Sequence, residues 1–308
     1  MSEIVPTNLI ASVHERLLNI SRTQGEDFNL TLTRYGIERF LYRLTQSEYG
    51  ERYVLKGALL FAIWSGYPHR PTRDVDLLAF GDCMAESLKD QFQEICRIGV
   101  PEDGLVFDPA SVQVREIRET QEYGGQRVRL VGWLGGARVS LQVDVGFGDA
   151  VTPPAKMLEY PTLLEFPAPH LRTYPPESVI SEKLQAAVTL DMLNSRMKDF
   201  YDVWVMARTL SFDANTLTQA IRNTFARRRT EIPPETPVAL TADFGLDAEK
   251  TRLWRAFLNR IGLNAENDPE LAEVIDEIKQ FLSPPLAALA RRQGFKGTWP
   301  PGGPWRRG

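Results

Sequence analysis

Two aspartates, Asp74 and Asp76, stand one residue apart in the apolar stretch "RDVDLLAF". That stretch reads as a β-strand, where residues i and i+2 share a face, so both carboxylates project together with Cα atoms roughly 7 Å apart. Like charges held side by side repel unless a cation lies between them. Hard carboxylate oxygens suit Mg²⁺, with Mn²⁺ as a substitute, because such ions are held jointly by one or two carboxylates and phosphate oxygens. A third carboxylate, Asp144, lies in "SLQVDVGFGD" between Val143 and Val145, again at a strand position with apolar neighbours. Upstream, "YVLKG" and "ALLFAIWSG" read as a strand, a glycine and a short helix. Gly57 at that junction allows backbone to approach phosphate oxygens, and a helix start offers free N–H groups and a favourable dipole. Lys56, just before it, either contacts phosphate or rests on the strand surface. A pair of strand aspartates alone more often ends a strand at solvent. A glycine turn ahead of the pair shifts the reading towards a metal and nucleoside triphosphate (NTP) site.

Other charged residues are candidates to complete such a site. Lys183 in "ESVISEKLQAAV" sits early in a helix, where it either reaches a phosphate or pairs with Glu182 or Glu177. Asp199 and Asp202 in "SRMKDFYDVW" lie three apart on one helical face, as a helix-start charge pair or as partners that orient Lys183. "RNTFARRR" places Arg222, Arg227, Arg228 and Arg229 around a phenylalanine, and "RRQGFKGTWPPGGPWRRG" interleaves Phe295, Trp299 and Trp305 with Lys and Arg. Cations against phosphate and aromatics against bases are how single-stranded nucleic acid is held. Arg222, Arg227, Arg228 and Arg229 are therefore the candidate acceptor-binding residues, with an ordinary solvated helix face as the alternative. His14, His69 and His170 are scattered along the chain and form no triad or zinc set. There is no nucleophile elbow and no Walker glycine loop.

The elements that must position these residues follow from periodicity. Residues 1–50 read as two helices, with Leu9, Ile10, Val13, Leu17 and Leu18 and then Ile37, Phe40, Leu41 and Leu44 at helical spacing. Helix "AESLKDQFQEICRIG" follows the aspartate strand, and period-two alternation then marks strands in "SVQVREIRET", "QRVRLVGWLG" and "ARVSLQVDVGFGD", with "YGGQ" and "GGA" as turns. The proline-rich "VTPPAKMLEYPTLLEFPAPHLRTYPP" reads as loop. Helices are expected from "PPESVISEKLQAAVTL" onward, at 198–209, 213–229, 247–261 and 268–282. The last 18 residues contain no acid and many Gly and Pro, and read as a basic mobile tail. A chain of 308 residues with 43% hydrophobic content has room for one large domain or two ordinary ones. Net charge of −4 gives no overall basic field, so a nucleic-acid partner needs a local patch. Two cysteines, Cys83 and Cys96, supply neither zinc spacing nor a disulfide framework, and a reducing cytoplasm is the expected compartment. No stretch has the length of apolar residues needed to span a bilayer, and the N-terminus lacks an apolar signal core.

The order of these motifs resembles the nucleotidyltransferase superfamily that includes polymerase β. More narrowly, "VLKGALLFAIWSGYPHRPTRDVDLL", "LQVDVGFGD", "SEKLQAAV" and "SRMKDFYDVW" together resemble the AbiEii/AbiGii toxin-type nucleotidyltransferases over roughly residues 50–210. Gly57-Ala58 stands where that family usually has Gly-Ser or Gly-Gly. The resemblance implies an α+β fold, with a polymerase β-like core of mixed sheet and flanking helices at 51–172 behind an N-terminal helical segment at 1–50. A mostly helical C-terminal domain at 173–290 and the tail at 291–308 follow. It implies Mg²⁺-dependent transfer of a nucleotide from an NTP to an acceptor hydroxyl. Asp74 and Asp76 would bridge two metals and Asp144 would hold the catalytic one. Lys56, Gly57, Ala58, Thr72, Arg73 and Lys183 would line the nucleotide, with Asp199 as a further motif acid. The implied biology is a toxin of a type IV-like toxin–antitoxin or abortive-infection system acting on the tRNA 3′ end, with a cognate antitoxin. An antibiotic-modifying or other small-molecule nucleotidyltransferase and a non-catalytic nucleotide-binding protein are the competing readings.

Overall fold

The structure, a computed structural model, describes residues 7–66, 68–81, 84–117, 125–263 and 269–306. It divides into one unit of residues 1–148 and 156–173 and another of 149–155 and 174–308. In the first unit, α1 (Thr7–Gln24) and α2 (Phe28–Gln46) lead into β1 (Tyr53–Lys56), α3 (Leu60–Ser65), β2 (Asp74–Ala79) and α4 (Ala85–Arg97). The strands β3 (Leu105–Ile117), β4 (Gly125–Leu134), β5 (Ala137–Phe147), β6 (Lys156–Glu159) and β7 (His170–Thr173) complete it. One seven-stranded sheet results, ordered β3-β4-β5-β2-β1-β7-β6. It is mixed: β5 and β2 run parallel, as do β1 and β7, and the other neighbours are antiparallel. The N-terminal helices, expected as a separate segment, are part of this unit. Asp27 caps α2 by accepting from the Leu30 N–H. A Cβ on Gly36 of that helix would come within 2.4 Å of Val139 Cγ1, so the glycine permits a close approach of α2 to β5.

Alternation along the strands sorts the two sheet faces. Val139, Leu141, Val143 and Val145 of β5 are buried on the helix side, and the residues between them face the other way. The segment 151–176, expected as loop, contains β6 and β7. These strands are only four residues long and lie among prolines, so no periodic signal marks them, and pairing with β1 is what makes β7 a strand. Cys83, residues 118–124 of the expected hairpin and the start of the expected 268–282 helix lie outside the described residues.

The second unit is mostly helical: α5 (Pro176–Leu190), α6 (Met197–Thr209), α7 (Ala214–Arg227), α8 (Ala242–Leu246), α9 (Ala248–Arg260) and α10 (Leu271–Ala290), with the two-residue strands β8 (Phe212–Asp213) and β9 (Thr298–Trp299) paired antiparallel. Two expectations are corrected here. The last helix was expected to end at 282, before Pro284 and Pro285, yet it continues to Ala290. Pro285 has no N–H for the Phe281 carbonyl. The indole N–H of Trp305 donates to that carbonyl instead, at 2.8 Å, with its ring stacked on Phe281. The segment expected as a mobile tail is therefore packed: Trp299 is 4% exposed and donates from Nε1 to the Ala207 carbonyl at 2.7 Å. Among the described residues, no helix is long and apolar enough to cross a membrane.

Candidate active site

Register brings the carboxylates of the first unit onto one face. Asp76 of β2 is the direct partner of Asp144 on β5, and Asp74 is the partner of Gln142. Lys56 at the end of β1 lies across from Asp76 on the other side. One row of the sheet thus reads Lys56, Asp76, Asp144 and, on β4, Arg127. Asp74 is exposed at the start of its strand and accepts from Gln142 Nε2 at 3.0 Å. Val75 and Leu77, pointing the other way, are fully buried and hold the strand in place.

Gly57 follows β1 in a single 3-10 turn (Gly57–Leu59) that runs into α3. Its φ of +76° favours glycine, and a Cβ there would lie 2.0 Å from Asp76 Oδ2. The backbone of this turn is thus pressed against the Asp76 carboxylate, and no larger residue fits without moving it. Ala58 is buried behind the turn. Thr72 Oγ1 makes a long contact of 3.4 Å to the Asp74 carbonyl, and Arg73 is exposed beside it.

Asp144 has a partner that periodicity did not reveal. Arg127 donates from Nε and Nη2 to its two oxygens at 2.8 and 2.7 Å. That hydrogen bonding raises the Arg127 pKa, against the partial burial that lowers it. Each Asp144 oxygen keeps a further lone pair, so the fork orients the carboxylate without exhausting it. Among the described residues, no group of three or more His, Cys, Asp or Glu side chains is arranged to hold a metal ion. What fits a hard divalent cation is the donor chemistry: two same-face carboxylates beside a turn whose backbone favours glycine, the kind of oxygen donors such ions take together with phosphate oxygens.

The second unit gathers another set of the candidates. Lys183 of α5 donates to Asp199 Oδ1 at 2.6 Å and to Asp202 Oδ2 at 2.9 Å, both on α6. Arg196 Nε lies 2.6 Å from the other Asp199 oxygen. Burial alone would lower the Lys183 pKa, but the two aspartates reverse this and hold it above its ordinary value. Burial likewise pushes Asp199 up, and Lys183 and Arg196 overcome it to hold the carboxyl below its ordinary range. Of the readings open for these residues, the structure shows Asp199 and Asp202 as partners that orient Lys183, its ammonium shared between two buried carboxylates. Among the acceptor candidates, Arg222, Arg227 and Arg229 are exposed on or just after α7. Arg228 is corrected: it turns inward to Asp149 at 2.9 Å, Glu182 at 3.3 Å and Gln185 at 3.0 Å, so its charge is taken up inside the unit.

No curated protein matches this chain. Two solved structures from Helicobacter pylori resemble it weakly. One is JHP933, at 14% identity over 94% of this chain and 93% of that one, with a TM-score of 0.42. The other is described as a candidate nucleotidyltransferase, at 15% identity over 82% and 90%, also with a TM-score of 0.42. A family model for the nucleotidyl transferase AbiEii toxin of type IV toxin–antitoxin systems matches residues 39–280, which reaches into both units and includes Asp74, Asp76, Asp144, Asp199 and Asp202. The chain belongs to the AbiEii family of nucleotidyl transferase toxins, a family that implies a cognate antitoxin.

Proposed function

We propose that the protein transfers a nucleoside monophosphate from an NTP to an acceptor hydroxyl on RNA, the tRNA 3′ end being the leading candidate, and that Asp74 and Asp76 carry the chemistry. The single observation behind this is the turn at Gly57: a positive-φ glycine whose absent side chain leaves room for the Asp76 carboxylate, on a face shared with Asp74 and Asp144. In this reading the turn backbone lies under the triphosphate, and Lys56, in register with Asp76, offsets phosphate charge. Asp74 and Asp76 would hold a divalent cation, which withdraws charge from the phosphate oxygens. Arg127 fixes Asp144 beside them, where its remaining lone pairs can accept the proton of the attacking hydroxyl. The acceptor oxygen bonds to the α-phosphorus, the bond to the β-phosphate bridging oxygen breaks, and pyrophosphate departs. Lys183 in this scheme ties α5 to α6 through Asp199 and Asp202.

The test is incubation of the pure protein with each α-³²P-labelled NTP, Mg²⁺ and total tRNA. Label should appear on RNA and vanish in Asp74→Ala/Asp76→Ala and in Asp76→Asn, with circular dichroism unchanged. Full activity in Asp76→Asn would remove the proposal. Label on protein alone, or on a small molecule, would replace the RNA acceptor while leaving the transfer chemistry in place.

A further inference from the structure

The sheet face that carries the carboxylates also carries charge that the proposed chemistry does not use. Register fixes which side chains share it. Next to Arg127 on β3 lies Arg115; one step along the strands, Gln142 is followed by Arg129 and Gln113; at the far end stand Arg138, Trp133 and Val106. Arg115, Arg129 and Arg138 are exposed, and so are Trp133 at 40% and Val106 at 52%, although both sit within regular strands. None of these three arginines forms an ion pair with a described residue, and Arg129 makes only 3.4 Å contacts to Gln142. Two acids lie near them on this face: Asp74 accepts from Gln142, and Asp108 accepts locally from the Ala110 N–H. In a chain of net charge −4, three uncommitted guanidinium groups beside an exposed indole are a local reversal of sign. They extend along β4 and β5 for about 20 Å from Asp144, six residues at ~3.3 Å each.

We propose that this face is a platform for single-stranded nucleic acid, leading its terminal hydroxyl to Asp76 and Asp144. Phosphates lie on Arg115, Arg129 and Arg138, and a base stacks on Trp133. The inference rests on the nucleotidyl-transfer reading and names the surface that would present its acceptor. Arginine forks match phosphate oxygens and an exposed indole matches a base face, which a duplex keeps inside its stack. A protein partner is a poorer fit, because Trp133 and Val106 are isolated among polar and charged neighbours rather than forming an apolar centre. The arginines of α7 are not needed, and Arg228 among them is already committed.

The experiment measures fluorescence anisotropy of a labelled short single-stranded RNA with the full chain, without NTP or metal, as salt is varied. Trp133→Ala should weaken binding by about 10-fold, within the range for loss of one stacked base. Trp133→Phe should keep most of the affinity. Arg129→Gln/Arg138→Gln should reduce the slope of log affinity against log salt by about 1.4, at ~0.7 per phosphate contact for single strands. Arg222→Gln should bind as the wild type does. Mg²⁺-dependent NTP binding, measured on the same preparations, should be unchanged in all four. Unaltered RNA binding in both Trp133→Ala and the double arginine variant would overturn the platform, as would equal competition by polyglutamate, which would mark a site for acidic protein. Wild-type protein that binds NTP but no RNA would overturn the platform and leave transfer to another acceptor standing. Protein that binds neither would overturn both readings.

Discussion

Substitution of Gly57 by alanine isolates the contact on which the candidate site depends. The new Cβ would meet Asp76 three times, at 2.0 Å to Oδ2, 2.8 Å to Cγ and 2.9 Å to Cβ. The carboxylate tip can rotate away, but the Asp76 Cβ cannot retreat without moving β2. Left-handed backbone on a non-glycine residue costs about 1–2 kcal/mol, and forcing one extra carbon into a packed site adds about 1–3. Gly66 supplies a matched control. Its φ is +78°, yet a Cβ there would meet no described residue within 4 Å, so Gly66→Ala carries the backbone cost alone. At ~2–4 °C per kcal/mol, Gly57→Ala should lower the unfolding midpoint of the wild type by roughly 4–20 °C and Gly66→Ala by roughly 2–8 °C. The sharper difference is in activity. Displacing a reacting group by about 1 Å can cost ~100-fold, so Gly57→Ala should lose about that much transfer, whereas Gly66→Ala retains it. The assay is the labelled-NTP transfer described above, alongside thermal unfolding. If both variants transfer at the wild-type rate and unfold at the same midpoint, the Gly57 turn does not position Asp76 and the reasoning fails.

Four further outcomes follow from the geometry. Lys183→Met would leave Asp199 and Asp202 buried without their cation, a loss of about 3–5 kcal/mol in urea unfolding at neutral pH, and adding Asp199→Asn and Asp202→Asn should recover part of it. The same pairing sets a pH window. Because the Asp199 pKa is lowered from 3.8, its contribution is present above that value and lost as pH falls through the depressed one; the raised Lys183 pKa contributes below 10.5 and is lost as pH rises above it. The gap between wild type and Lys183→Met should therefore narrow in acid, and a constant gap down to pH 2 would count against the pairing. Trp305→Phe keeps the aromatic stack on Phe281 but removes the donor to its carbonyl, and should cost about 1–3 kcal/mol; no change in the urea midpoint would show that water satisfies this carbonyl instead. Arg127→Gln removes a positive charge from beside Asp144, so transfer should fall while its half-saturating Mg²⁺ concentration decreases, and a rise in that concentration would contradict the arrangement.

The parts of the site visible in the sequence are those that depend on one element at a time. Asp74 and Asp76 share a face because i and i+2 always do in a strand, and Gly57 stands out because a glycine between strand and helix has few other uses. What could not be read there depends on strand order. "QRVRLVGWLG" shows that arginines alternate with buried residues, but not that β4 lies beside β5, nor that the register sets Arg127 on Asp144 rather than one residue away. A slip of one would move every side chain of β4 to the opposite face. The same ignorance hid β6 and β7, which exist through their neighbours, and the docked C-terminal segment, where a tryptophan supplies the N–H that a proline lacks. Basic residues divide in the same way. The run "ARRR" is legible as consecutive letters, yet Arg228, just after α7, turns inward to Asp149 and Glu182. Arg115, Arg129 and Arg138 come from three strands and are assembled only by the sheet. A surface made across strands leaves no local trace, so in a sheet protein the absence of a basic run in the sequence is weak evidence against a nucleic-acid face.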